Sequence, residues 1–204
     1  MEEKQRNIIE DWEEHYRTTE VESMPWYYTE MDPDLAVALR AMGVTEGRCL
    51  DLGTGPGTQA MALAEYGFDV TATDISETAV RDAAQRAAEK GLKVRFLADD
   101  ILDTRLTGEF SFVFDRGCFH TLAPDRRLDY VEVVKGLIAP GGILFLKVMS
   151  HMETLLEGGP YRFTPGDIHE LFTPAFEVHS IEESVFHGTL DPKPLALFCI
   201  LKRP

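Results

Sequence analysis

Long apolar runs, paired cysteines and clustered positive charge are all scarce in this sequence. No stretch of its 204 residues approaches the roughly 18 uninterrupted apolar positions that a membrane-spanning helix needs. The opening MEEKQRNIIEDWEEHY is acidic and polar, unlike a secretory signal. Neither an anchor nor a signal is expected. The three cysteines, Cys49, Cys118 and Cys199, are odd in number, widely spaced and set among apolar neighbours. They suggest neither a disulfide framework nor a zinc site, and a reducing cytoplasm suits them. His151, His169, His179 and His187 lack metal-ligand spacing, so no metal is expected. With 20 Lys and Arg against 35 Asp and Glu, the formal net charge is −15. No dense basic run offsets it, and a phosphate backbone is repelled, so nucleic acid is not an expected partner. The surplus acid reads as a solvated surface.

The chain is 44% hydrophobic, enough for one sizeable core, and its length fits a single domain over 1–204. No repeat, low-complexity tract or linker divides it. From Arg48 onward short apolar runs alternate with helix-period stretches, the signature of an α/β domain with crossover helices on a parallel sheet. Strands are expected at Arg48 to Leu52, Phe68 to Asp74, Leu92 to Leu97, Phe110 to Phe114 and Gly142 to Val148. The last two are apolar enough for burial on both faces. Thr58 to Tyr66 reads as a helix ending at Gly67. Ser76 offers an N-cap to a helix with paired alanines at fourfold spacing. Leu128, Val131, Val134 and Ile138 form another helical stripe. After Ser150 a helix from about Pro165 to Phe172 precedes two strands, Glu177 to Phe186 and Leu195 to Leu201, close enough to form a hairpin. Residues 1–40 carry no strand pattern and are expected as a helical cap, leaving 45–150 as the binding core and 151–204 as a C-terminal helix and hairpin.

The first strand runs into Asp51-Leu52-Gly53-Thr54-Gly55-Pro56-Gly57. Glycines between a strand and a helix let backbone amides approach a ligand closely, because no side chain obstructs them and positive φ is tolerated. The spacing is G-x-G-x-G, distinct from the G-x-G-x-x-G of dinucleotide loops, and no Gly-Lys-Ser/Thr follows to cradle phosphate. An acid ahead of the turn, Asp51, suits a ligand carrying ammonium and sulfonium charge. Asp74 closes the second strand, where a carboxylate can accept both hydroxyls of an adenosine ribose. The alternative, a tight turn with Asp74 serving only as a cap, explains each part separately but not their pairing.

On these residues the chain resembles the class I S-adenosylmethionine-dependent methyltransferases. Leu50 to Gly57 matches that family's first motif and Thr71-Ala72-Thr73-Asp74 its second. The likeness is strongest over 45–150 and implies a doubly wound, Rossmann-like, seven-stranded mixed sheet in the order 3-2-1-4-5-7-6, with strand seven antiparallel. It implies S-adenosyl-L-methionine as cofactor, with Gly53 and Gly55 against the methionine moiety and Asp74 on ribose. Ile75, beside Asp74, is a further cofactor-binding candidate, and Asp100-Ile101 after strand three would flank the adenine, with Asp99 the alternative to Asp100. The triplet Asp115-Arg116-Gly117 is similar to the thiopurine S-methyltransferase branch and its small-molecule relatives. There the arginine meets the cofactor's carboxylate region, so Arg116 is carried over; a guanidinium fork suits that partner. The same branch has an N-terminal aromatic-x-x-x-aromatic lid, a spacing that Trp12 and Tyr16 share, with Trp26 a further candidate. The aromatics, with Tyr27, can equally be packing of the cap on the sheet. Two departures stand out: a glycine-rich first motif and a short N-terminal extension.

Transfer from a sulfonium proceeds by in-line displacement with a leaving group already activated, so positioning and water exclusion can supply most of the rate. The titratable groups expected nearest the reaction centre are His120 and Asp115, at the end of strand four. His120 as a base competes with His120 as a structural hydrogen-bonding group, Asp115 with a role in orienting cofactor or backbone, and Cys118 reads as packing. The expected activity is methyl transfer to a small molecule. A non-catalytic cofactor-binding module and a protein methyltransferase are the alternatives.

Overall fold

The computed structural model describes Ile9 and residues 11–204; the rest of the expected cap's opening stretch, 1–8 and Glu10, lies outside the described residues. β1 (Arg48–Leu52), β2 (Asp69–Asp74), β3 (Val94–Ala98), β4 (Phe110–Arg116) and β5 (Ile138–Ser150) run parallel. β7 (Glu177–Val185) and β8 (Leu195–Lys202) form the late hairpin, and β8 lies antiparallel to both β5 and β7. The sheet order β3-β2-β1-β4-β5-β8-β7 is the expected topology with one addition. A two-residue strand, β6 (Arg162–Phe163), pairs with the end of β5 and raises the count from seven to eight.

Period-two alternation explains why the sheet is buried on both faces. Leu50, Val113, Leu144, Leu146 and Val148 point into one core with Tyr130, Val134 and Phe172. Cys49, Phe112, Phe114, Ile143 and Phe145 point into the other with Leu35, Ala60 and Leu63. α3 (Thr58–Tyr66) and α4 (Glu77–Glu89) follow their strands directly. α4 starts where Ser76 Oγ accepts the Ala79 amide at 3.1 Å, the expected N-cap. α5 (Arg127–Leu137) is shorter than its apolar stripe suggested: Leu128 is exposed and Ile138 already belongs to β5. The cause is Pro140-Gly141-Gly142, which cannot continue a helix. At Gly142 a Cβ would stand 2.7 Å from the Ser111 carbonyl oxygen, so β5 can enter past the β4 irregularity between Phe110 and Phe112 only on glycine. α6 (Pro165–Phe172) carries a capping box from Thr164 and Asp167.

The N-terminal region divides into two parts. α2 (Pro33–Ala41) buries Leu35, Ala38 and Leu39 in the sheet core. α1 (Trp12–Thr18) instead lies across the start of α4 with its aromatic residues. Among the described residues no helix is long and apolar enough to cross a membrane.

Candidate active site

The C-terminal ends of the parallel strands open into a cavity of about 420 Å³, where ligands of doubly wound sheets bind. One end is walled by Leu52, Gly53, Asp74, Ile75, Asp100 and Ile101, and Trp12, Tyr16 and Trp26 also border the cavity. The other end is walled by His120, Leu122, Met149, Leu156, Phe186 and Leu190. Arg116 and Cys118 also line it.

The glycine loop is shaped by its neighbours. Gly53, at φ 66, has Cys118 so close that a Cβ would stand 2.7 Å from that residue's own Cβ. Gly55, at φ 49, is roofed by the Tyr16 hydroxyl, so Gly53 reaches the cavity and Gly55 does not. The Gly55 amide is spent on Asp74, donating to Oδ2 at 2.8 Å, while Ser76 N donates to Oδ1 at 3.0 Å. Burial pushes the Asp74 carboxyl above its ordinary value, and these amides, with that of Ile75, oppose the shift. Each carboxylate oxygen has about two acceptor sites, so a vicinal diol can still be bound.

Asp51 does not line the cavity, contrary to expectation. It lies under the loop, where Oδ2 accepts the Thr54 hydroxyl at 2.5 Å. Burial pushes its carboxyl up to about 7, against the Thr54 and Ala60 hydrogen bonds. Asp115 also faces inward. It accepts the amides of Gly117, Cys118 and Phe119 at 2.9, 2.7 and 3.0 Å and the Tyr130 hydroxyl at 2.6 Å. With Oδ1 and Oδ2 both engaged, it builds the loop after β4 and reaches no reacting atom; burial raises it to about 6. Asp100 caps a short turn through Leu102 N at 2.9 Å while lining the cavity beside Ile101. Asp99 binds Thr104 and Arg105. Burial holds the Cys118 thiol well above its usual value, so it stays protonated.

The three aromatic residues expected as a lid, Trp12, Tyr16 and Trp26, pack in one cluster. Trp12 stacks near Tyr16 with centroids 6.1 Å apart and meets Trp26 edge-on at 5.8 Å. The α1 residue Glu13 fixes it, accepting Ser76 Oγ at 2.7 Å, Thr78 N at 3.0 Å and Thr78 Oγ1 at 2.6 Å. These bonds, led by the Thr78 hydroxyl, hold the Glu13 carboxyl down to about 2.

Arg116 borders the cavity, but its fork is engaged within the protein. Nε donates to Asp32 Oδ2 at 2.9 Å, Nη1 to the Trp26 carbonyl at 3.2 Å and Nη2 to the His187 carbonyl. Lys147, fully buried in β5, donates to Asp32 at 3.0 and 2.8 Å and to Asp34 at 2.6 Å. This cluster stitches the cap and the β7–β8 loop to the sheet, and sequence reading missed it. Its signal was present: Lys147 is the one charge in Ile143-Leu144-Phe145-Leu146-Lys147-Val148, and a charge in a doubly buried strand needs a partner.

His120 is buried, with Nδ1 accepting the Met149 amide at 3.1 Å. Burial, aided by Arg116, pushes its imidazole down to about 3. Among the described residues no group of acids, histidines and cysteines could hold a metal.

The cavity's lining fits S-adenosylmethionine: a carboxylate open to a diol at Asp74, apolar flanks for a base, and an aromatic border of Trp12, Tyr16 and Trp26. Comparison with known proteins agrees. Residues 8–196 match the family model of thiopurine S-methyltransferase. A 2-heptyl-1-hydroxyquinolin-4(1H)-one methyltransferase of Mycobacteroides abscessus is 27% identical, over 91% of this chain and 84% of its own. Thiocyanate methyltransferase 1 of Arabidopsis thaliana is 27% identical, over 81% and 74%. Among solved structures, one described as acting in conversion of a disulfide bond into a thioacetal group during echinomycin biosynthesis superposes with TM-score 0.80 at 24% identity, covering 94% of this chain and 89% of its own. The chain belongs to the thiopurine S-methyltransferase family and is an S-adenosylmethionine-dependent methyltransferase.

Proposed function

We propose that this enzyme methylates a small, largely apolar acceptor held at the end of the cavity formed by Leu122, Met149, Leu156, Phe186 and Leu190. The observation that carries this reading is that apolar end itself, roofed by the cap and the β7–β8 loop beside the cofactor end. Its apolar lining and limited volume suit a compact ligand. Two relatives are named for small acceptors, a quinolone and thiocyanate. Asp74 is assigned to the ribose, Gly53 to the methionine moiety, and Ile75, Asp100 and Ile101 to the adenine, with Trp12, Tyr16 and Trp26 closing over them. Arg116 serves chiefly as the clamp that holds the roof.

When bound, the cofactor supplies an activated methyl group on sulfur. The protein's contribution is to orient both molecules and exclude water, the terms that dominate such displacements. Asp115 and Cys118 take no proton in this reading. The acidic net charge supports a partner other than nucleic acid, and the free thiols support a cytoplasmic location. The test is to incubate the protein with methyl-labelled cofactor and a cell extract separated into metabolite and protein pools. Label is expected in the metabolite pool; label confined to protein, or none, overturns the proposal.

A further inference from the structure

His120 lines the cavity with its protons in a single arrangement. An amide N–H can only donate, so the bond from Met149 N at 3.1 Å makes Nδ1 the bare, accepting nitrogen and puts the proton on Nε2. The Nε2 edge lies against Gly117, where φ is 108 and a Cβ would stand 3.0 Å from Nε2 and 3.3 Å from Cε1. Glycine at 117 therefore leaves no side chain against this edge, and both residues line the cavity. Burial and the Arg116 cation disfavour a second proton on the ring.

The surrounding charges leave that state in place. Arg116 is tied to Asp32, and Lys147 to Asp32 and Asp34. Asp115 is filled by loop amides and Tyr130, and Cys118 is a protonated thiol. From the loops, Tyr161 donates its amide to the His120 carbonyl at 2.8 Å, Glu157 lines the cavity while exposed, and burial lowers His187. A ring with one nitrogen committed and the other already protonated cannot serve as a base.

Resting on the small-acceptor reading above, we propose that His120 donates Nε2–H to the nucleophilic atom of the acceptor and selects acceptors that reach the cavity already ionised. A donor aimed at that atom favours the anion over its protonated form. The chemistry then balances without a protein base. The acceptor's lone pair forms the new bond to the methyl carbon as the carbon–sulfonium bond breaks, and that pair stays on sulfur. An anion and a cation become two neutral products, and no proton is left over.

The test uses 4-nitrothiophenol, whose thiolate absorbs visible light, bound to the full chain with S-adenosylhomocysteine, which has no methyl to give. Its half-ionisation pH in the complex is expected about one unit below that of the free probe, a tenfold preference for the anion. His120→Asn keeps an acceptor for Met149 N but loses the distal donor, and is expected to erase the shift; His120→Gln, with its amide near the Nε2 position, is expected to restore part of it. An unshifted bound probe, or no binding of the probe, overturns the proposal. Independently of any variant, the wild-type kcat/KM profile over a series of aryl thiols is expected to inflect at each acceptor's own ionisation. An inflection fixed between about pH 5 and 8 for every acceptor identifies a protein base and overturns it as well. Failure of S-adenosylhomocysteine to bind a folded sample refutes the underlying assignment instead, so the two failures are separable.

Discussion

Replacing Asp32 with Ala removes the carboxylate that Lys147 and Arg116 share, in a place where none of the three can turn to water. Asp32 and Lys147 are 0% exposed at their side chains and Arg116 is 7% exposed. After the change Lys147 keeps only Asp34, whose side chain is 31% exposed, and Arg116 Nε loses its carboxylate. Removing one partner of a buried ion pair costs about 3–5 kcal/mol, and retention of Asp34 places the expectation at the lower end, about 3–4 kcal/mol. For a chain of this size about 1 kcal/mol lowers Tm by about 2–4 °C, so a drop of about 6–16 °C is expected by circular dichroism. The double variant Asp32→Ala with Lys147→Met removes the stranded cation and should recover part of the loss, a non-additivity expected of residues in one network. The pH dependence has a definite sign. Burial raises the Asp32 carboxyl, but Lys147 and Arg116 more than offset it, and the net shift is downward. Its stabilisation is therefore complete above the unfolded value of about 3.9 and lost as pH falls through the lower folded value. The gap between variant and wild type should close in strong acid. A variant melting within about 2 °C of wild type at neutral pH would refute the reasoning.

Three further outcomes follow from the site. Glu13→Gln should loosen α1 from α4, changing the emission of Trp12 and Trp26 and weakening S-adenosylhomocysteine several-fold; the wild-type contact should persist as pH falls below 4.5, the ordinary value of this carboxyl, and be lost only towards about 2. Unchanged emission and affinity would sink the lid. Asp51 is raised to about 7, so the unfolded chain ionises first and stability should fall as pH rises from about 4 to 7 and then level; Asp51→Asn should flatten that fall in urea titrations, and an identical slope in both proteins would count against the buried acid. Gly55→Ala places a Cβ against the Tyr16 hydroxyl at φ 49, costing about 1–3 kcal/mol of strain; a melting temperature equal to wild type contradicts the close approach.

The parallel sheet, the glycine loop and the late hairpin were legible in the sequence because each writes a local periodicity or a short motif. Asp74, Ile101, Trp12 and Tyr16 were also legible in position, since motif spacing puts them at strand ends or on one helical turn. Direction was not. Asp51 and Asp115 sit where motifs place acids, yet both turn into the loops they organise, because unpaired amides there compete with any ligand for a carboxylate. Gly55 is occupied by a residue 39 positions earlier in the chain (55 − 16), a contact that no local pattern encodes. The Asp32–Arg116–Lys147 cluster likewise joins a helix cap to two strands across more than 80 residues of sequence. Only the lone charge in β5 hinted at it.

The account stands most directly on Asp74 at the cofactor end of the cavity. Calorimetric titration of S-adenosylhomocysteine into wild type and Asp74→Ala, with the melting temperature of each recorded, tests it. One site of micromolar affinity is expected for wild type, weakened by more than about tenfold, or about 1.4 kcal/mol, in a variant that still folds. Equal affinity in the two proteins, or no heat with a folded wild type, would contradict the account.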